Sequence, residues 1–142
     1  MKEAELIKKA QEARKKAYAP YSKFKVGAAL LTKSGKVYTG ANVENSAYGL
    51  TVCAERSAVF QAVNNGDKDF VKIVVAADKN PPITPCGACR QVLSEFTRDL
   101  EVVCVNTKGR IDRYSLKELL PEAFGEGSAD EPKGKGKKEE GK

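Results

Sequence analysis

Cys53-Ala54-Glu55-Arg56 and, further along, Pro85-Cys86-Gly87-Ala88-Cys89 are the stretches from which this chain is read. The C-x-x-C half is a familiar metal half-site, because turn or helical geometry at that spacing lets both sulfurs reach one ion. A structural zinc takes four protein ligands, whereas here three thiols, Cys53, Cys86 and Cys89, form the set. Three ligands leave one coordination position open, which is the pattern of a catalytic zinc. There is no histidine in the chain. Ser-His and Cys-His nucleophilic schemes are therefore excluded, and any zinc must be held by thiolates or carboxylates.

The stretch between the two halves sets the local structure. A helix is predicted from about Cys53 to Asn65, closed by Gly66. Its only charged residues are Glu55 and Arg56. A helix apolar on nearly every side is usually buried, so two charges inside it need a reason. Residues two apart on a regular helix point about 200° from each other. Cys53 and Glu55 can face one site only if Cys53 is a non-helical cap, and the helix should begin there. Arg56 lies three residues after Cys53, on the same helical face. Its charge would offset the excess negative charge that three thiolates leave around one zinc. Cys53 and Cys86 each stand where a helix begins, so two helix dipoles add to that compensation.

Outward from this centre, strands and helices alternate. Residues 3–18 place Leu6, Ala10, Ala13 and Ala17 at helical spacing, ended by Pro20. Val26 to Leu31 is a near-continuous apolar run, as in a strand buried on both faces. Ser34-Gly35 turns it into a second strand, Lys36 to about Asn42. Val71–Ala77 and Val102–Val105 read as further strands, and Arg110–Tyr114 as a fifth. A third helix is predicted from near Cys86 to Phe96. A short one over Leu116–Leu120 has Ser115 and Glu118 in capping-box register. The expected fold is an α/β three-layer α/β/α sandwich on a mixed, mostly parallel five-stranded sheet. Residues 126–142 contain no large apolar residue and are expected to form a disordered charged tail to a catalytic domain of residues 1–125.

The formal charge is +6, and the tail contributes nothing to it, since its five basic residues match its five acidic ones. The excess is scattered along the body and interrupted by acids, which reads as a solvated basic surface, so no nucleic-acid partner is expected. Met1-Lys2-Glu3-Ala4-Glu5 opens a charged helix, not an apolar leader, and no apolar run is long enough to span a bilayer. A cytoplasmic protein with reduced thiols and no membrane partner is the expectation.

At these residues the chain resembles the small, homotetrameric type of cytidine deaminase. The resemblance rests on Cys53-Ala54-Glu55-Arg56 and Pro85-Cys86-Gly87-Ala88-Cys89-Arg90-Gln91. Tyr18-Ala19-Pro20-Tyr21-Ser22-Lys23-Phe24 and Asn42-Val43-Glu44-Asn45 agree with it. It runs from about residue 5 to Phe124. It implies the same three-layer fold and one Zn²⁺ per subunit on Cys53, Cys86 and Cys89. It also implies Glu55 as the proton carrier for water attack at C4 of cytosine. Free cytidine and deoxycytidine would be the substrates, in pyrimidine salvage. Phe24, Asn42, Glu44 and the backbone of Ala54 match the family's nucleoside-binding positions, and Arg56 matches an arginine bonded to the ligand sulfurs. Phe124 corresponds to an aromatic at a neighbouring subunit's pocket, within a homotetramer.

Other readings stand beside this one. Cys104 could complete a structural four-thiolate site, although among Val102, Val103 and Val105 a small buried hydrophobe is its ordinary role. Phe24 could be core, and Asn42 and Glu44 plain loop residues. An editing deaminase would need elements that grip a polymer. A deaminase acting on blasticidin is a nearer competitor. A zinc-stabilised binding module would leave Glu55 without a role.

Overall fold

The computed structural model describes residues 1–125; the predicted tail, residues 126–142, lies outside them. Five strands form one sheet in the order β2-β1-β3-β4-β5. They are β1 (Val26–Thr32), β2 (Val37–Ala41), β3 (Phe70–Ala77), β4 (Glu101–Val105) and β5 (Ile111–Ser115). Helix α1 (Glu3–Arg14) covers one face. Helices α2 (Ala54–Asn64) and α3 (Gly87–Ser94) lie on the other, with the single turn α4 (Leu116–Leu119) beyond them. A three-residue 3₁₀ turn, Tyr48–Leu50, interrupts the loop before α2.

The doubly buried reading of β1 holds. Ala29 packs with Leu6, Ala10, Val74 and Val103 under α1, while Ala28 and Leu30 pack with Ala58, Val59 and Ile73 under α2. The expectation of a mostly parallel sheet is corrected. The sheet is mixed, but only β3 and β4 pair in parallel, and the other three pairings are antiparallel. Alternation of strands and helices does make β2, β3 and β4 run the same way. The first strand, however, turns back in a hairpin and its other edge takes β3, so β1 separates two strands of common direction. A second hairpin then adds β5.

Helix α1 also ends earlier than the sequence predicts, at Arg14. Tyr18 instead joins an isolated bridge with Val43, donating its N–H to the Asn42 carbonyl, and Glu44 N–H returns to the Tyr18 carbonyl. Those bonds need an extended backbone at Tyr18, which a continued helix would forbid. Helix α2 begins and ends as predicted, with Cys53 extended (φ −74°, ψ 158°) and Gly66 at φ +76°. It is not buried on every side, since Phe60 is exposed. The predicted capping box forms at α4, where Glu118 accepts from the Ser115 N–H at 2.7 Å and Ser115 Oγ accepts from the Lys117 N–H at 3.2 Å.

This order places the site. Because β2 and β3 point the same way, their carboxyl ends lie at the same edge of the sheet, and α2 and α3 start from there. Ligands of open α/β sheets bind in this position. The two strands are two inter-strand spacings apart, ~10 Å, which is the width of a packed helix. The N-termini of α2 and α3 therefore fall side by side.

Gly40 sets how closely α2 lies on β2. A Cβ there would stand 2.6 Å from the Ala54 carbonyl oxygen and 2.6 Å from the Ala58 nitrogen. Both are backbone atoms that cannot rotate away. Gly40→Ala should lower stability by at least about 1–3 kcal/mol, the usual cost of overpacking. Gly49→Ala, whose Cβ would meet nothing within 4 Å, should stay within about 0.5 kcal/mol of wild type. Denaturant melts of both variants check this, and equal midpoints would show that α2 is free to shift.

Candidate active site

Cys53 and Cys86 are the N-caps of α2 and α3, both in extended conformation, and Cys89 lies one turn into α3. Their sulfurs converge: Cys53 Sγ is 3.8 Å from Cys86 Sγ, which is 3.4 Å from Cys89 Sγ. All three lie within 4.8 Å of one another. Sulfurs arranged tetrahedrally at ~2.3 Å from one zinc would stand ~3.8 Å apart, so the set fits that ion. Cys104 is excluded from the cluster. It is fully buried on β4, and desolvation pushes its thiol up to about 12. The four-thiolate alternative is thereby removed.

The electrostatics favour thiolate at Cys53. The Cys53 thiol is held down at about 5 by hydrogen bonding from Cys89 and from Arg56. Arg56 Nη2 donates to Cys53 Sγ at 3.3 Å, and that bond raises the guanidinium's own pKa further. The expected compensation is therefore present as a contact. Glu55 occupies the first turn of α2, next to the cap, and is only 4% exposed. Burial, reinforced by the Cys53 charge, pushes its carboxyl up to about 7. With Cys53 outside the helix, both side chains reach one pocket, as the angular reasoning requires.

That pocket has a volume of about 340 Å³ and brings together Phe24, Asn42, Glu44, Ala54 and Glu55 beside Cys53 and Cys86. Asn42 and Glu44 also have structural work. The Asn42 Oδ1 accepts from Val26 N–H at 2.8 Å and its Nδ2 donates to the Phe24 carbonyl at 2.9 Å. Glu44 accepts from the backbone N–H groups of Tyr21 and Ser22 at 3.0 and 3.1 Å, and from the Ser22 hydroxyl. The Ser22 hydroxyl bond is the largest influence holding its carboxyl below the usual range. Together they fix the loop that presents Phe24. Each keeps spare capacity: one N–H on Asn42 and lone pairs on both side chains.

Phe124 is not in this pocket. Gln91 bonds both the N–H and the carbonyl of its backbone, and Arg98 takes the Gly125 carbonyl at 2.8 Å. The ring is left 85% exposed. Ser22, Tyr48, Thr51, Ile83 and Thr84 also line the pocket and were not found by sequence reasoning. Only Ser22 lay in a motif already singled out; the others carry no spacing that marks them.

Residues 1–106 match the family described as the cytidine and deoxycytidylate deaminase zinc-binding region. The cytidine deaminase of Halalkalibacterium halodurans is 54% identical over 120 residues, spanning 84% of this chain and 91% of that protein. The crystal structure of cytidine deaminase from Burkholderia pseudomallei aligns with a TM-score of 0.85 at 52% identity, covering 87% of this chain and 100% of that one. The blasticidin-S deaminase of Bacillus cereus is 34% identical over 110 residues, 70% of this chain and 76% of that protein. With the converging thiols, these matches make Zn²⁺ the cofactor, and Cys53, Cys86 and Cys89 are positioned to bind it.

Elemental analysis should find one zinc per chain in the wild type and in Cys104→Ala, and a strong loss in Cys89→Ser. Arg56→Ala should stay folded but release zinc to a chelator faster. Wild-type release from Arg56→Ala would leave the two helix dipoles as sufficient compensation.

Proposed function

This chain belongs to the cytidine and deoxycytidylate deaminase family, and we propose that it hydrolyses free cytidine and deoxycytidine. The products are uridine or deoxyuridine and ammonia. The observation that carries this is the buried Glu55 carboxyl beside a three-thiolate metal site in one pocket. Zinc bound there supplies Lewis acidity and makes a water molecule more acidic.

The remaining chemistry belongs to the chain's own residues. Phe24 offers a flat face against the pyrimidine, and the Ala54 backbone faces the ring at the first turn of α2. Asn42 and Glu44 use their spare capacity on the ribose hydroxyls. Glu55 takes a proton from the attacking water and passes it to N3. It then carries the proton of the new C4 hydroxyl to the amino group, which leaves as ammonia as the C4–N bond breaks and the C4 carbonyl forms. Its enclosure limits exchange with bulk solvent between the two transfers. Residues 1–125 form the catalytic unit in this reading, since every site residue lies within them.

The same reading makes the enzyme a cytoplasmic homotetramer in pyrimidine salvage. Four cysteines free of disulfides suit a reducing compartment, and no helix of the described residues is long and apolar enough to cross a membrane. Tyr48, Leu50, Phe60 and Phe124 leave large apolar surface exposed, which suits contact with further copies. Phe124 would then complete a neighbouring subunit's pocket. A stable, fully active monomer by light scattering would contradict the assembly.

A blasticidin-type substrate is the second reading, favoured by the Bacillus cereus relative. Ammonia release from cytidine, deoxycytidine, blasticidin S and single-stranded oligonucleotides separates the alternatives. The two nucleosides should react and the oligonucleotides should not. Glu55→Gln should keep its zinc and its affinity for cytidine yet lose at least ~10²–10⁴ in turnover, the range for a positioned proton carrier. Loss of zinc in that variant would make Glu55 a ligand instead.

A further inference from the structure

Arg90 follows the ligand Cys89 on α3, and none of the chemistry above employs it. Its guanidinium makes three short bonds in three directions. Nε donates to the Pro85 carbonyl at 2.7 Å, Nη2 to Thr84 Oγ1 at 2.8 Å and Nη1 to the Leu119 carbonyl at 2.7 Å. All three acceptors are neutral, and no ion pair among the described residues includes Arg90. A planar guanidinium holds its N–H groups in fixed directions, so acceptors bonded to it are fixed relative to each other.

Two of those acceptors belong to the loop between β3 and α3. Three of its residues, Pro81, Pro82 and Pro85, have no N–H to donate. Among the described residues, 80–85 make no backbone–backbone hydrogen bond, and the only hydrogen bonds they receive come from Arg90. Yet Ile83 and Thr84 line the substrate pocket, and Cys86 follows directly as a zinc ligand. Pro82 and Pro85 are buried and Ile83 packs against the core, but the hydrogen bonds that orient this pocket wall come from one side chain, and that side chain is anchored at its far end to α4.

We propose that Arg90 is a positioning residue that holds the Thr84–Pro85 wall, and with it Cys86, in register with α4. The wall meets the substrate equally before and during reaction, so its displacement acts on binding more than on the chemical step. Its displacement also loosens one of three zinc ligands.

The test uses the zinc-loaded full chain with Arg90→Gln and Arg90→Lys. Glutamine loses the charge and the fork, while lysine keeps the charge and some donors. Three quantities are read: hydrogen exchange over residues 80–86, the rate of zinc transfer to a chelator, and kcat per bound zinc against KM for cytidine. For Arg90→Gln, faster exchange is expected, with zinc transfer and KM each raised about tenfold, equivalent to ~1.4 kcal/mol. Turnover per bound zinc should stay within about threefold. Arg90→Lys should recover part of each change. Wild-type exchange, zinc transfer and KM in Arg90→Gln, with only the melting temperature lowered, would make Arg90 a plain structural staple and overturn the proposal. Should the glutamine variant not fold, the lysine variant decides: unchanged values overturn the proposal and intermediate ones support it. The KM reading rests on the nucleoside function proposed above. If the wild type releases no ammonia from cytidine, that function fails, while exchange and zinc transfer still decide the role of Arg90.

Discussion

Three thiolates around one divalent cation leave the site net negative, and most of the local architecture answers that excess. Cys53 and Cys86 cap two helices whose N-terminal ends carry partial positive charge. Arg56 adds a full charge through its contact with Cys53 Sγ. The sheet order makes the convergence possible, because β1 separates two strands of common direction and both following helices start at the same edge. A slip of α2 along β2 would break the set, and Gly40 removes the side chain that would force one.

Around this centre the pocket is made from loops, and loops need fastening. Asn42 and Glu44 fasten the loop that carries Phe24, using side-chain oxygens where a sheet would use backbone. Arg90 bonds the Thr84–Pro85 wall. In both cases a polar group near the substrate is already satisfied by the chain, which fixes its orientation before any ligand arrives. Preorganisation of this kind lowers the ordering cost of binding.

Much of this was legible in the sequence, for identifiable reasons. The Cys-x-Glu spacing cannot converge on a regular helix, so the cap at Cys53 followed from angles alone. The double burial of β1 followed from its unbroken apolar run, and the capping box at Ser115 from its spacing to Glu118. Strand order was not legible, because alternation of strands and helices gives directions but not neighbours. The early end of α1 was hidden too, since Tyr18 is drawn off by a bridge to Val43 that no local pattern announces. The tethers made by Asn42 and Glu44, and the one from Arg90 to Leu119, join residues distant in sequence through side chains with no periodic mark. Asn42, Glu44 and Phe24 gained their expected roles only from the family resemblance, and the structure adds the structural bonds that resemblance did not supply.

Three thiolates on the zinc leave one position open to the reacting water. X-ray absorption at the zinc edge of the full chain reads that shell directly. Three sulfurs near ~2.3 Å and one lighter atom near ~2.0 Å are the expected result. Four sulfurs would close the site and contradict a catalytic role for the metal, and a shell with fewer than three would contradict the ligand set.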